Sequence, residues 1–151
     1  MSPTPASDEN TDNERPIGTV LIIDDQKMNR SYCRTFLGKL NLVIHCAKDG
    51  FEGIRLAQKV IPDLILLDLI MPGMDGFEVL RLLKQNQGLK SIPVLVLSVL
   101  SRSGEVEKAL QMGADDYVQK PFSGTELVAR SKKLLQARIK YNRIEKQTTE
   151  G

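Results

Sequence analysis

The chain has 151 residues, 41% apolar and 26% charged, with a formal net charge of +2; this is the make-up of one globular domain long enough to bury a substantial core. No run approaches the roughly 18 consecutive apolar residues of a membrane span, and the start lacks the basic-then-apolar order of a signal peptide, so a cytoplasmic location without membrane contact is expected. Two cysteines, Cys33 and Cys46, are too few for a disulfide framework and read as buried free thiols, while the single histidine, His45, gives no basis for a histidine metal cluster or a Ser-His-Asp triad and reads as a strand residue at the solvent edge.

Charge is unevenly spread. Residues 1–16 carry Asp8, Glu9, Asp12 and Glu14 against Arg15, in a Ser/Thr/Pro/Asn-rich stretch with no apolar period that reads as a disordered lead-in. From Thr19 the chain alternates regularly. Apolar runs at Val20–Ile23, Leu42–Cys46, Leu64–Leu67 and Val94–Leu97, and a weaker one around Tyr117–Val118, predict five strands. Because these runs are continuous instead of alternating, both faces are expected to be covered, as in a parallel sheet flanked by helices.

The intervening segments have helical period. Asn29, Cys33, Phe36, Leu37 and Leu40 share one helical face; Ile54 and Ala57 mark a second helix, Phe77, Leu80 and Leu83 a third, Val106, Ala109 and Leu110 a fourth. A fifth begins near Gly124 with Leu127, Val128, Leu134 and Leu135, and nothing breaks it from Thr125 to about Gln147. Five strand-then-helix repeats and right-handed crossovers predict an α/β fold: a (βα)5 doubly wound, parallel five-stranded sheet in the order 2-1-3-4-5.

In such sheets chemistry gathers at the carboxyl ends of the strands. There the sequence places Asp24 and Asp25, then Asp68, then Ser98, then Lys120 followed by Pro121. A hard dication takes oxygen ligands and relieves the repulsion among gathered carboxylates. An aspartate can attack phosphorus, and the phosphoryl oxygens then need counter-charge from metal, ammonium and hydroxyl. The set reads as a magnesium-assisted phosphoryl-acceptor site with Asp68 as the acceptor.

The motifs Leu21-Ile-Ile-Asp-Asp25 with Asn29-Arg30, Pro62-Asp-Leu-Ile-Leu-Leu-Asp68, Met71-Pro-Gly-Met-Asp-Gly76, Val94-Leu-Val-Leu-Ser98 and Gly113-Ala-Asp-Asp-Tyr-Val-Gln-Lys-Pro-Phe122 together resemble the receiver domain of two-component response regulators, over roughly Thr19 to Leu135. The resemblance implies a flavodoxin-like fold. It also implies Asp68 as phosphoacceptor, Asp24, Asp25, Asp68 and the Ile70 backbone carbonyl as ligands of Mg²⁺ or Mn²⁺, and Ser98, the Val99 backbone and Lys120 as phosphate contacts. Ser98 and Tyr117 would form the switch, and Lys120–Pro121 would be cis.

The implied partner is a histidine kinase or phosphotransfer protein, and a homodimer would use the face of the fourth helix, fifth strand and fifth helix. Apolar Ile70, Val99 and Leu100 predict a shielded mouth and a long-lived phosphoryl group. Gly53 stands where the family usually has alanine, with no function attached to it.

Rival readings fit less well. An aspartate-nucleophile phosphatase would want a second acid where Ile70 stands, and a flavin module would want a Ser/Thr-rich loop where Asp24-Asp-Gln-Lys stands. A phosphate-independent interaction domain would not need the full site. The expected division is a lead-in at 1–16, a receiver at 17–138 and a basic extension at 139–151. Across residues 130–146 seven cations stand against Glu145 alone. Three readings of this tail stay open: a signalling helix leading to an output domain not in this chain, the solvated end of a stand-alone receiver, or a nucleic-acid contact that no recognition motif supports. Between the two charged ends, residues 17–129 balance 13 cations with 13 acids, which gives no basis for nucleic-acid binding by the receiver body.

Overall fold

The computed structural model describes residues 15–99 and 104–150. Five strands, β1 (Gly18–Ile23), β2 (Leu42–Ala47), β3 (Leu64–Asp68), β4 (Val94–Val99) and β5 (Asp116–Lys120), alternate with five α-helices. These are α1 (Lys27–Leu37), α2 (Gly50–Val60), α3 (Gly76–Gln85), α4 (Glu105–Gln111) and α5 (Gly124–Glu150), and a short 3-10 turn over Gly38–Leu40 follows α1. The strands are all parallel in the order β2-β1-β3-β4-β5, as the repeat pattern predicts.

Strand parity separates the core into two layers. Leu21, Ile23, Ile65, Leu67, Val94 and Val96 meet Ala57, Val79, Leu80, Leu83 and Ala109 of α2, α3 and α4. Val20, Ile22, Leu64, Leu66, Leu95 and Leu97 meet Cys33, Leu37, Leu127 and Leu135 of α1 and α5. Adjacent residues of one strand therefore serve opposite layers, which is why the central runs are apolar throughout. The edge strand β2 is covered less completely, and His45 and Cys46 are half-buried there. The expectation of two buried thiols is corrected at Cys46: its sulfur lies 3.5 Å from the Arg34 guanidinium at the sheet edge, whereas Cys33 is fully buried.

Helices α2 and α3 start on side-chain caps. Asp49 and Asp75 accept from the N–H groups of Glu52 (2.8 Å) and Glu78 (3.0 Å), which satisfies donors that an open first turn leaves exposed. Gly53 in α2 has a packing reason that sequence alone does not show. A Cβ there would lie 2.6 Å from Cδ1 and 2.9 Å from Cγ1 of Ile23, so the bulk at the end of β1 requires a bare backbone opposite. Helix α2 ends at Ile61, whose φ of 45° is costly for a β-branched residue.

Helix α5 runs three residues beyond the expected Gln147 and is continuous for 27 residues. Besides the core packing of Leu127 and Leu135, two contacts hold it. Near its start, Gly124 lies so close to the Phe36 ring that a Cβ would overlap it. Farther along, Arg138 donates from Nη1 to Ser91 Oγ (3.0 Å) and brings Nε to 4.0 Å from Asp63 Oδ1 beneath the sheet. Among the described residues, no helix is long and apolar enough to cross a membrane.

Candidate functional site

Strand register sets the level of the site before any side chain is considered. Ile23 pairs with Leu67, so Asp24 and Asp68, each one residue further on, stand side by side at the ends of β1 and β3. Asp68 pairs with Leu97, and Val99 with Lys120, which brings Ser98 and Lys120 to the same mouth on the next two strands. A slip of one residue in any pairing would send these groups to the opposite face.

Asp24 is fully buried, and the protein engages each of its polar atoms. Its N–H donates to the Ala47 carbonyl (3.1 Å), and its own carbonyl accepts from Arg30 Nη1 (2.8 Å). Oδ1 accepts from the Gln26 N–H (2.9 Å) and Oδ2 from Lys120 Nζ (3.2 Å). Lys120 also reaches within 3.4 Å of Asp68 Oδ1, so one ammonium bridges two carboxylates. Carboxylate oxygens of Asp24, Asp25 and Asp68 all lie within 4.8 Å of one another. Three hard oxygen donors converging from two strand ends suit a hard dication such as Mg²⁺. The acids outnumber the bridging ammonium, so a cation there would relieve repulsion that Lys120 only partly offsets.

Asp68 is 5% exposed. Burial, and then the Asp24 charge, push its pKa up to about 6 against the opposing pull of Lys120 and of the Ile70 N–H, which donates to Oδ1 at 3.2 Å. The loop after Asp68 is held by the Gly76 N–H on the Leu69 carbonyl (3.0 Å), and a Cβ on Gly76 would overlap the Asp68 carbonyl. This close approach fixes the segment that carries Ile70. The Ile70 and Val99 side chains stand 58% and 53% exposed on the rim, so the strand-end position itself, more than these two side chains, shields the Asp68 carboxylate. Leu100, the third apolar residue expected at the mouth, lies outside the described residues.

Ser98 is buried, and its hydroxyl rests 3.3 Å from the Val99 carbonyl. Tyr117 is 38% exposed, with the Arg130 guanidinium 5.9 Å from its ring centroid; Arg130 is in turn held by Asp116 (2.9 Å) and Glu126 (3.2 Å). The Lys120–Pro121 peptide is cis, as the resemblance implies. His45 takes no part in the acidic cluster. Cys33 lies under the site, and burial, followed by the Asp24 charge, pushes its thiol up to about 12, so it stays protonated and serves as packing. Sequence reading gave Arg30 no role; its position six residues after Asp24, in the first turns of α1, was the available signal.

A family model described as the response regulator receiver domain matches residues 20–132. Over 116 residues the chain is 36% identical to the transcriptional regulatory protein CusR of Escherichia coli K12, covering 77% of this chain and 50% of that protein. The chain thus spans about half the length of the curated relatives it matches. Among solved structures, the signal receiver domain of a signal transduction histidine kinase from Syntrophus aciditrophicus superposes with a TM-score of 0.74 at 33% identity, covering 80% of this chain and 91% of that one. The chemotaxis protein CheY4 of Vibrio cholerae gives 0.72 at 28% identity, covering 77% and 97%. Fold, strand-end acids and sequence similarity agree, and the chain belongs to the response regulator receiver domain family.

Proposed function

We propose that this receiver accepts a phosphoryl group on Asp68 from a histidine kinase or phosphotransfer protein and relays the event as a change of shape. The observation that carries the reading is Lys120 Nζ standing 3.2 Å from Asp24 and 3.4 Å from Asp68 in a crevice where three carboxylates converge. An Asp68 oxygen forms the bond to phosphorus as the phosphorus–nitrogen bond of the donor breaks. Asp24, Asp25, Asp68 and the Ile70 carbonyl would hold Mg²⁺ or Mn²⁺, which when bound supplies positive charge to the phosphoryl oxygens. Lys120 adds its ammonium, and Ser98 Oγ and the Val99 N–H donate to the same oxygens. The domain is a switch that promotes its own phosphorylation and dephosphorylation, not a turnover enzyme.

Phosphorylation adds nearly two negative charges. Ser98 leaves the Val99 carbonyl for the phosphoryl group, and Tyr117 turns into the space opened. The face of α4, β5 and α5 then favours a second packing, and a homodimer forms through it. Ile70 and Val99 stand exposed on the rim and offer attacking water no side-chain hydrogen-bond partner, so the acyl phosphate is long-lived. Residues 17–138 form this unit in the cytoplasm, without contact to membrane or nucleic acid. Residues 139–151 lead toward an output domain, in keeping with the transcriptional role in the name of the CusR relative. Intact mass after incubation with Mg²⁺ and acetyl phosphate tests the reading. A phosphate-sized gain that Asp68→Ala abolishes is expected; catalytic hydrolysis of unrelated phosphate esters would overturn it.

A further inference from the structure

Lys120 is the last residue of β5, and its ammonium has to bridge Asp24 and Asp68 from a segment that turns at once into Pro121, Phe122 and Ser123. A pocket of about 420 Å³, lined by Asn29, Tyr32, Val99, Lys120, Pro121 and Phe122, opens along the lysine, and Pro121 has no N–H with which to tie the turn down.

The hold comes from α1, across the pocket. Tyr32 Oη donates to the Phe122 carbonyl at 2.9 Å. Its ring meets the Phe122 ring edge-on at 5.4 Å and the Phe36 ring, one helical turn along, at 4.9 Å. Phe36 in turn sits against Gly124, where only glycine fits. Tyr32 and Phe36 thus grip Phe122 through Gly124 from one face of α1. Resting on the phosphoacceptor reading above, we infer that the Tyr32 hydroxyl is a positioning group for Lys120: it fixes the turn after β5 and thereby keeps the ammonium on the two aspartates.

Tyr32→Phe in the full chain removes the hydroxyl and keeps the ring. With saturating Mg²⁺ and acetyl phosphate, the maximal rate of Asp68 phosphorylation falls about 3- to 10-fold, the range for one lost hydrogen bond. On a Lys120→Ala background the same substitution changes the rate no further, an interaction that a purely structural role would not give. A second readout needs no phosphoryl transfer. In metal-free protein, acetylation of Lys120 by N-hydroxysuccinimidyl acetate, followed by peptide mass, becomes several-fold faster in Tyr32→Phe because the ammonium is released more often. Wild-type labelling together with a wild-type rate, or equal rate losses on both backgrounds, overturns the inference. If labelling rises while the unmutated chain takes up no phosphate, the positioning role stands and the phosphoacceptor reading falls.

Discussion

Replacing Asp68 with asparagine should make the metal-free protein more stable at neutral pH. The carboxylate is 5% exposed, and its pKa is raised from 3.8 to about 6, chiefly by burial and then by Asp24, despite the Lys120 ammonium. A carboxyl group with a raised folded-state pKa favours folding only when protonated. Its contribution is complete below about pH 4 and is lost as pH rises through about 6. Asparagine resembles the protonated acid in size and carries no charge at any pH, so it keeps what aspartate loses. The shift corresponds to roughly 2–3 kcal/mol at pH 7.5, or about 6–10 °C in melting temperature for a chain of this size. Thermal and urea unfolding of both proteins in a chelating buffer, from pH 4 to 8, would show the gap opening across that window. Saturating Mg²⁺ should narrow it by stabilising the wild type. An Asp68→Asn protein no more stable than wild type at pH 7.5, or a gap unchanged down to pH 4, would refute the argument that burial strains this carboxylate.

Gly53→Ala should lose about 1–3 kcal/mol to overpacking despite its better helix propensity, and lose less on an Ile23→Val background that lacks the nearest methyl; equal losses in urea titrations would clear Ile23 of blame. Ile61→Gly should raise stability by about 1 kcal/mol, because φ of 45° no longer meets a β-branched side chain, and calorimetry would detect the rise or its absence. Ile70→Asn and Val99→Ala should shorten the phosphoryl lifetime, followed by phosphate release; a wild-type half-life of seconds that neither substitution alters would count against shielding. Tyr117→Ala should be phosphorylated at the wild-type rate yet fail to dimerise on phosphorylation, as read by light scattering.

The fold was legible because two-sided burial leaves a local mark. Leu64–Leu67 is apolar without interruption since alternate residues feed opposite layers, and the helices between the strands keep their period. The acidic site was legible for a related reason: Asp24, Asp68, Ser98 and Lys120 each follow or end such a run, so locating strand ends locates them. What escaped was complementarity between distant residues. Nothing near Gly53 announces the methyl groups of Ile23, and Tyr32 is 90 residues from the carbonyl it holds. Arg30 stood only beside Asn29 in the motif after Asp25, and its hold on the Asp24 carbonyl is a contact of the folded chain. The half-burial of Cys46 depends on β2 lying at the sheet edge with one strand neighbour, a fact of topology that a local apolar run does not encode.

Between its two fastenings α5 is bedded on the core by Leu127, Ser131 and Leu135, and beyond the second its described residues are mostly exposed, which gives it the mechanics of a cantilever. Gly124 is seated against Phe36 on the Asp68 side of the domain, and Arg138 is moored to Ser91 and Asp63 at the far side. The helical rise puts these points about 21 Å apart and leaves about 18 Å of helix beyond the second. No proline or glycine interrupts it between them or beyond. A tilt of the bedded part by about 3° swings the far end by about 1 Å, because the overhang multiplies the angle by its length. Anything joined to that end would be steered by how α5 seats on the core.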